Sequence, residues 1–306
     1  MKNTVFIHTN HRQWVGALVS AYSMRRNSSH SDAFEVEFIH TKDHPFLREK
    51  EGKEFLRGGV TRVWQMEDLQ SFTPLRFMPP QLMGYEGRAI VVDPDVFAVG
   101  DVNELLTRDM EGKAVMGRRR SHRDDKEFEV ATSVMLMDCA KLKHWDAPKA
   151  FDELFQFKRD YKDWIALKDE PRENIGFFED EWNDFDRLTE KTKMLHNTKR
   201  KTQPWKTGLP VDYTPADKTK EYPVLAFIMK LRAKVFGQYG LLGRYARHPD
   251  SKQEQFFFGL LRECLDKGIV DETLLREEMK QNHVRHDAFQ VIERTPPLAS
   301  PQHAVS

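Results

Sequence analysis

The sequence predicts an α/β fold in which a mixed, mainly parallel sheet is flanked by helices and followed by a C-terminal helical segment. Short apolar runs alternate with helical runs as far as His196, which is typical of strands joined by crossover helices. The run 89–92 has no polar side chain, as expected for a strand buried on both faces of a parallel sheet. Beyond residue 215 helical periodicity dominates.

The elements are predicted in order from apolar runs, periodicity and turn residues. Strands are predicted at 4–8, 34–40, 60–64, 88–92, 96–99, 114–117, 133–137 and 192–196. Helices are predicted at 13–26, 72–83, 103–108, 222–245 and 251–267, the second of them interrupted by Pro79-Pro80. These elements give one α/β domain over 1–215 that is large enough to hold an active site, and a helical segment over 216–294. The Pro- and Ser-containing tail over 295–306 is expected to be disordered.

Composition excludes several classes of protein. The 306 residues include 48 basic and 48 acidic side chains, and this balance argues against a nucleic-acid partner, which needs a basic surface. The two cysteines, Cys139 and Cys264, lie in apolar contexts and do not suggest a disulfide framework. The start of the chain does not read as a signal peptide, and no apolar run approaches the ~20 residues of a spanning helix, so we expect a cytoplasmic protein.

Asp93-Pro94-Asp95 directly follows the buried strand at 88–92. Open α/β sheets bind ligands at the carboxyl ends of their strands, and an extended backbone would point both carboxylates the same way. Mg²⁺ and Mn²⁺ prefer carboxylate oxygens and are commonly held by one or two carboxylates plus substrate phosphates. The motif therefore predicts a metal site facing a diphosphate, while Asp-Pro-Asp is also ordinary turn chemistry.

A late histidine, His196, ends the last predicted strand, shortly before Pro204-Trp205. An imidazole there can complete a metal site begun by two aspartates, or it can make a structural hydrogen bond. The combination of an Asp-x-Asp strand, a late histidine and a Pro-Trp turn favours the metal site.

In this order the motifs resemble those of nucleotide-sugar glycosyltransferases of the GT-A fold, closest to family 8, the glycogenin- and galactosyltransferase-like family. The resemblance covers roughly residues 4–210. It is carried by Val5-Phe-Ile-His-Thr-Asn10, Tyr22-Ser-Met-Arg-Arg-Asn-Ser28, Leu75-Arg-Phe-Met-Pro79, Gly87 to Leu105 with its Asp pair, Thr132 to Asp138, His196 and Pro204-Trp205.

The resemblance implies that Asp93, Asp95 and His196 bind Mn²⁺ or Mg²⁺ against the diphosphate of a UDP- or GDP-sugar. It implies transfer of a hexose, with retention at the anomeric carbon, to a glycan, lipid-linked or protein acceptor. Arg76, on the helix before the Asp strand, is expected to pair with a carboxylate or to reach the donor phosphate.

Further donor contacts are expected from His8, Thr9 and Asn10 at the end of the first strand, and from Ser133, which matches a sugar-facing position of the family. For these residues ordinary loop or strand polarity is the alternative. Asn10 replaces the acid often found near the nucleobase, so uracil and guanine both stay open.

The late motif departs from the family pattern His-x-x-Gly-x-x-Lys-Pro-Trp, being one residue longer and lacking its glycine. Gln203 stands where a lysine would hold the phosphate, and either Lys201 or Lys206 is expected to substitute. The basic stretch 118–123 is either solvated or holds an anionic acceptor or the donor diphosphate. The segment 222–245 either packs on the sheet or makes a peripheral membrane contact, which would suit a lipid-linked acceptor.

Two other functions remain as alternatives. A non-catalytic sugar- or partner-binding protein could keep this fold, and the altered lysine motif is its best support. A nucleotidylyltransferase would need a Gly-rich phosphate loop after the first strand, whereas residues 8–13 contain no glycine.

Overall fold

The computed structural model describes residues 3–120, 129–213 and 243–300. In chain order the strands are β1 (Asn3–Thr9), β2 (Phe34–His40), β3 (Glu54–Leu56), β4 (Thr61–Val63), β5 (Arg88–Val92), β6 (Val96–Ala98), β7 (Val115–Arg120), β8 (Glu129–Asp138), β9 (Ile175–Phe178), β10 (Asp184–Phe185) and β11 (Met194–His196). The α-helices are α1 (Trp14–Arg26), α2 (Pro45–Arg48), α3 (Pro79–Leu82), α4 (Val102–Thr107), α5 (Ala147–Phe155), α6 (Tyr161–Ile165), α7 (Ser251–Asp266), α8 (Glu272–Lys280) and α9 (Ala288–Arg294). Short 3₁₀ helices cover His11–Gln13, Thr41–Asp43, Thr73–Phe77, Cys139–Lys141, Arg172–Asn174, Asp180–Asn183, Arg200–Thr202 and Pro204–Lys206.

The main sheet has six strands in the order β2-β1-β5-β8-β7-β9. Strand β1 pairs in parallel with β2 and β5, and β7 pairs in parallel with β9. Strand β8 is antiparallel to both of its neighbours, β5 and β7. The predicted fold class, a mixed and mainly parallel sheet with flanking helices and C-terminal helices, is confirmed.

The middle of the sheet separates two apolar clusters. Along β5, Ala89 and Val91 belong to one cluster while Ile90 and Val92 belong to the other, as the alternation of side chains along a strand requires. All four residues have no exposed surface, which confirms the predicted strand buried on both faces. Each buried aliphatic side chain here contributes roughly 1.5–3 kcal/mol, so the position of β5 and of the turn after it is strongly determined.

A second, three-stranded sheet has the order β10-β11-β6. Strand β6 leaves the turn that follows β5 and pairs antiparallel with β11, with His196 opposite Val96. This pairing brings together two stretches that are about a hundred residues apart in the sequence, and it places the predicted late histidine beside the Asp-Pro-Asp turn.

The predicted helix over 72–83 is shorter and irregular. A 3₁₀ helix covers Thr73–Phe77, and α3 spans only Pro79–Leu82. Pro79 and Pro80 lack the backbone N–H groups that a continuous helix would need, so a new helix begins at Pro79, where a proline is tolerated. None of the helices in the described ranges is both long and apolar enough to cross a membrane.

The chain divides into two compact units, one comprising the described residues through His196 together with 299–300, and the other Asn197–Leu298. In the second unit Trp205 packs on Phe257 of α7 with ring centroids 4.7 Å apart, and Arg285 pairs with the buried Glu254 at 2.8 Å. The predicted domain boundary at 215 lies outside the described residues and stays a prediction.

The predicted tail over 295–306 is described only as far as residue 300. Thr295 at its start is buried, and its Oγ1 donates to the Val291 carbonyl at 2.6 Å. Disorder of 301–306 stays a prediction.

Candidate functional site

The segment Asp93–Asp95 is a turn rather than the extended strand that the sequence suggested. The Val96 amide donates to the Asp93 carbonyl at 3.2 Å, closing the turn between β5 and β6. The two carboxylates therefore do not point the same way by strand geometry, and each has its own set of partners. The turn and metal interpretations of Asp-Pro-Asp are compatible, because the turn itself brings the acids to the carboxyl end of β5.

Asp93, Asp95 and His196 lie together at this end of the sheet. Each offers one ligand atom, and the three atoms all lie within 4.8 Å of one another. His196 is buried, and its Nε2 lies 3.4 Å from Asp95 Oδ1. Asp95 has the more accessible side chain of the two acids, 16% exposed against 9% for Asp93. The structure thus brings together the three residues that the sequence predicted as metal ligands.

Arg76 and His8 hold Asp93 in place. Arg76 donates from Nε to Oδ1 at 2.9 Å and from Nη2 to Oδ2 at 2.5 Å, and His8 Nε2 lies 2.8 Å from Oδ1. Burial alone would raise the pKa of Asp93, but the charge of Arg76 and the hydrogen bond from His8 outweigh it and hold the pKa well below its usual value. Asp93 is therefore a carboxylate with one lone pair, on Oδ2, left over from these three contacts.

Arg76 and His8 are themselves fixed by their surroundings. Arg76 Nη1 donates to Thr132 Oγ1 at 3.0 Å, and that hydroxyl donates to the Ile165 carbonyl. His8 is fully buried against the Phe72 ring, and burial lowers its pKa although Asp93 opposes the shift. A neutral His8 donates from Nε2 to Asp93, which makes it a positioning residue for that acid. Donor contact by His8 stays a prediction.

Asn183 orients His196. Its Oδ1 lies 2.8 Å from His196 Nδ1, and its Nδ2 donates to Ser133 Oγ at 3.0 Å. The Asn183 oxygen can only accept, so Nδ1 is the nitrogen that carries a proton here and Nε2 is the nitrogen turned towards Asp95. Metal-binding histidines are commonly held in this way through their second nitrogen. Ser133, predicted to face the sugar, is the far end of this chain of hydrogen bonds.

Two further donor-site candidates are buried at the end of β1. Thr9 Oγ1 donates to the Asn10 carbonyl, and Asn10 Nδ2 donates to the Leu69 carbonyl at 3.3 Å and to Ser71 Oγ at 3.2 Å. The Asn10 oxygen accepts from the Arg12 amide at 3.1 Å. These bonds anchor the segment that leads to Arg76, and nucleobase or ribose contact by Thr9 and Asn10 stays a prediction.

The two lysines expected to hold the diphosphate lie in the second unit and differ in how far their side chains are exposed. Lys206 has no exposed surface, and its Nζ pairs with Asp212 Oδ2 at 3.0 Å and reaches the Asn282 carbonyl at 3.4 Å. Lys201 is exposed on a 3₁₀ helix. Withdrawing an ammonium from a buried ion pair costs free energy, and phosphate contact by Lys201 or Lys206 stays a prediction.

Helix α1 supports the turn through small and polar residues that sequence reasoning passed over. A Cβ on Gly16 would lie 2.9 Å from the Pro94 carbonyl oxygen, so only glycine allows this approach. Ser20 Oγ donates to the Val96 carbonyl at 2.6 Å, and Ser23 Oγ accepts from the Ala98 amide at 2.8 Å. The spacing of three to four residues on one helix face was the available signal.

The donor set fits a small divalent cation. Two carboxylates and one imidazole match the ligands that Mn²⁺ and Mg²⁺ accept, and the oxygen-rich set disfavours the thiolate-loving metals. The geometry adds a reason of its own, because Nε2 of His196 and Oδ1 of Asp95 face each other across 3.4 Å, so that one cation can contact both atoms.

Parts of two predictions lie outside the described residues. In the basic stretch 118–123, Arg118, Arg119 and Arg120 belong to β7 and the remainder is not described. Of the predicted helix over 222–245, residues 222–242 are not described, so packing and membrane contact both stay predictions.

No protein-family model and no curated protein matches the sequence. Solved structures do match. Galactosyltransferase LgtC, in complex with donor and acceptor sugar analogues, is similar with a TM-score of 0.47 and 15% identity over 66% of this chain and 89% of that one. Glycosyltransferase GlyE of Streptococcus pneumoniae gives 0.45 and 15% over 67% and 56%, and mouse xyloside xylosyltransferase 1 gives 0.41 and 12% over 65% and 98%. All three are glycosyltransferases, the class that the sequence resembles, but a likeness this distant carries no argument about chemistry.

Proposed function

We propose that this protein is a metal-dependent glycosyltransferase that moves a hexose from a UDP- or GDP-sugar to a glycan, lipid-linked or protein acceptor. The observation that carries the proposal is the cluster of Asp93, Asp95 and His196 at the carboxyl end of β5, with His196 Nε2 facing Asp95 Oδ1 at 3.4 Å. Clusters of this composition suit Mn²⁺ or Mg²⁺, and such ions are commonly bound together with substrate phosphates.

Some residues of the site would bind the cation, and others hold those ligands in position. Asp95 and His196 would hold the cation, with Asp93 contributing its remaining Oδ2 lone pair. When bound, the cation supplies Lewis-acid stabilisation for a nucleoside diphosphate leaving group, worth several kcal/mol. Arg76 keeps Asp93 ionised and fixed, and Asn183 keeps the imidazole in the tautomer that exposes Nε2. A site held this rigidly needs little rearrangement during the reaction.

Retention at the anomeric carbon is part of the proposal through the resemblance. Asp138, a carboxylate of β8, is not a candidate nucleophile beside the metal ligands. It pairs with Arg88 at the first residue of β5, whereas Asp93 follows the last residue of that strand. We therefore assign no residue the part of a covalent nucleophile. A cytoplasmic location is likewise proposed on the sequence alone.

A donor screen tests the proposal. Purified protein is incubated with UDP- and GDP-sugars and Mn²⁺, and release of the nucleoside diphosphate is measured with and without candidate acceptors. We expect turnover with one class of donor, its loss in chelator, and its loss in Asp95→Ala. Wild-type turnover surviving Asp95→Ala would sink the metal-centred mechanism.

The same screen separates the alternatives. Pyrophosphate release from a nucleoside triphosphate would favour a nucleotidylyltransferase. Absence of any thermal stabilisation by UDP or GDP with Mn²⁺ would favour a non-catalytic protein, since a ligand at 100 times its Kd stabilises by about 2.7 kcal/mol.

A further inference from the structure

The proposed site is short of positive charge. Arg76 balances Asp93, so a divalent cation that also meets Asp95 keeps about one net positive charge, against at least two negative charges on a departing diphosphate. Lys206, one of the expected sources of a further cation, is paired with Asp212 inside the second unit. If the proposed function holds, on which this inference rests, another residue must supply the missing charge.

The paired strands β7 and β8 extend past the end of β5. The Asp93 amide donates to the Ser133 carbonyl at 3.0 Å, and β8 continues from Ser133 back to Glu129 without a partner on β5. Arg120 is opposite Glu129, at the far end of this extension. The carboxyl end of β7 therefore overhangs the edge of the sheet at which the candidate metal ligands lie.

The three arginines of β7 have different surroundings. Arg118 is occupied, because it donates to the Asn183 carbonyl at 2.7 Å, pairs with Asp180 at 2.9 Å and covers the Phe185 ring. Arg119, on the opposite face of the strand, lies over the Phe177 ring at 5.5 Å. Strand alternation returns Arg120 to the face of Arg118.

The side chain of Arg120 makes no hydrogen bond or ion pair within the ranges 3–120, 129–213 and 243–300, although the residue as a whole is exposed. It shares its face of β7 with Arg118, which contacts Asn183, the residue that orients His196. Burial by surrounding protein atoms lowers the pKa of Arg120, the charge of Arg76 lowers it further, and Glu129 and Asp93 oppose the shift. A guanidinium in this place offers a planar fork of donors beside the site, which matches phosphate oxygens.

We infer that Arg120 binds the diphosphate of the nucleotide-sugar donor and takes the part that a lysine near Gln203 was expected to play. The cation and Arg120 would then approach the diphosphate from different elements, β5 and β7, and share its charge. Arg120 would then contact the substrate directly, whereas Arg119, on the opposite face of the same strand, would not.

Isothermal titration of UDP and GDP in the presence of Mn²⁺ tests this, with Arg120→Gln compared with the matched control Arg119→Gln. We expect Arg120→Gln to weaken binding of the cognate diphosphate at least about tenfold, since hydrogen bonds to charged groups are the stronger ones. Arg120→Lys should restore part of the loss, and Arg119→Gln should stay within about twofold of wild type. Binding of the unphosphorylated nucleoside should be the same in all variants.

Equal diphosphate binding by wild type and Arg120→Gln would overturn this inference and leave the proposed function intact. A loss shared with the unphosphorylated nucleoside would also overturn it, because the defect would then be general. Failure of the wild type to bind either diphosphate would overturn both. Thermal unfolding of each variant shows that the substitution at the end of β7 leaves the fold in place.

Discussion

Two carboxylate clusters in the first unit differ in the kinds of group that face their oxygens. Glu170 accepts from Trp145 Nε1 at 2.8 Å and from Asn174 Nδ2 at 2.7 Å, and His144 Nε2 lies 2.9 Å from it. Both carboxylate oxygens thus face protein donors, and we call this the closed cluster. It ties the segment after β8 to the start of β9 and needs nothing from outside.

The second cluster, formed by Asp93, Asp95 and His196, brings three potential metal-ligand atoms together, and we call it the ligand cluster. Asp93 is matched by Arg76 and His8, but Asp95 Oδ1 faces the Nε2 of His196 at 3.4 Å. These two atoms and one carboxylate oxygen of Asp93 lie within 4.8 Å of one another. Glu170 is thus met on both oxygens by side-chain donors, whereas Asp93, Asp95 and His196 converge on a space that one cation can share.

The largest expected effect comes from removing Arg76, the positively charged partner of Asp93 in the ligand cluster. Arg76→Met should lower the free energy of unfolding by about 3–5 kcal/mol, because it leaves Asp93 as a buried, uncompensated charge. Urea unfolding measures the loss. In the Arg76→Met background, Asp93→Asn should restore part of the stability, and failure to do so would mean that Arg76 acts through packing alone.

Orientation of the imidazole comes next. Asn183→Leu should weaken Mn²⁺ binding by about 10–100-fold, since the imidazole loses the acceptor that fixes its tautomer. The free energy of unfolding should fall by much less than in Arg76→Met. An unchanged Mn²⁺ affinity would break the assignment of His196 as an oriented ligand.

The closed cluster should respond in the opposite way. Glu170→Gln places an amide NH₂ against the donors of Trp145 or Asn174, and we expect a loss of roughly 1–2 kcal/mol of stability. Mn²⁺ affinity should be that of wild type. A matching loss of metal binding would show that the two clusters are coupled and would remove the contrast between them.

The smallest effect concerns a third satisfied acceptor, His40, whose Nδ1 accepts from the Lys42 amide at 3.0 Å. Burial and the neighbouring Lys42 lower the pKa of His40 from 6.5 to about 4. Between these values the unfolded chain binds more protons than the folded one, so stability should fall as pH drops from about 6.5 towards 4.

His40 lies at the edge of the protein with 9% of its surface exposed, and solvent screening limits this loss to roughly 1 kcal/mol. His40→Asn, whose side chain can also accept from the Lys42 amide, should remove the dependence. Thermal unfolding across this pH range would show the difference, and identical profiles for both proteins would place the titrating group elsewhere.

Local sequence signals predicted what is locally determined. The run 89–92 marked the central strand, and the periodicity of 251–267 marked α7, which spans Ser251–Asp266. The placement of Asp93, Asp95 and His196 in one site is not a local signal and was expected from the order of motifs and the family resemblance.

Pairing between distant residues left no such pattern. The contact of His8 with Asp93 joins the ends of two neighbouring strands, and only the fold decides which acid lies beside which base. Likewise the sequence could not show that Lys206 is buried against Asp212, since the charge of a lysine reads the same in solvent and in a core. At Pro94 the sequence left both a turn and an extended strand open, because turn residues there directly follow an apolar strand.

Titration of Mn²⁺ followed by its electron paramagnetic resonance signal, in the presence of UDP or GDP, tests the central claim most directly. The account predicts one bound Mn²⁺ in wild type and in Glu170→Gln, and at least about a tenfold weaker site in Asp95→Asn. Equal binding by wild type and Asp95→Asn would contradict it.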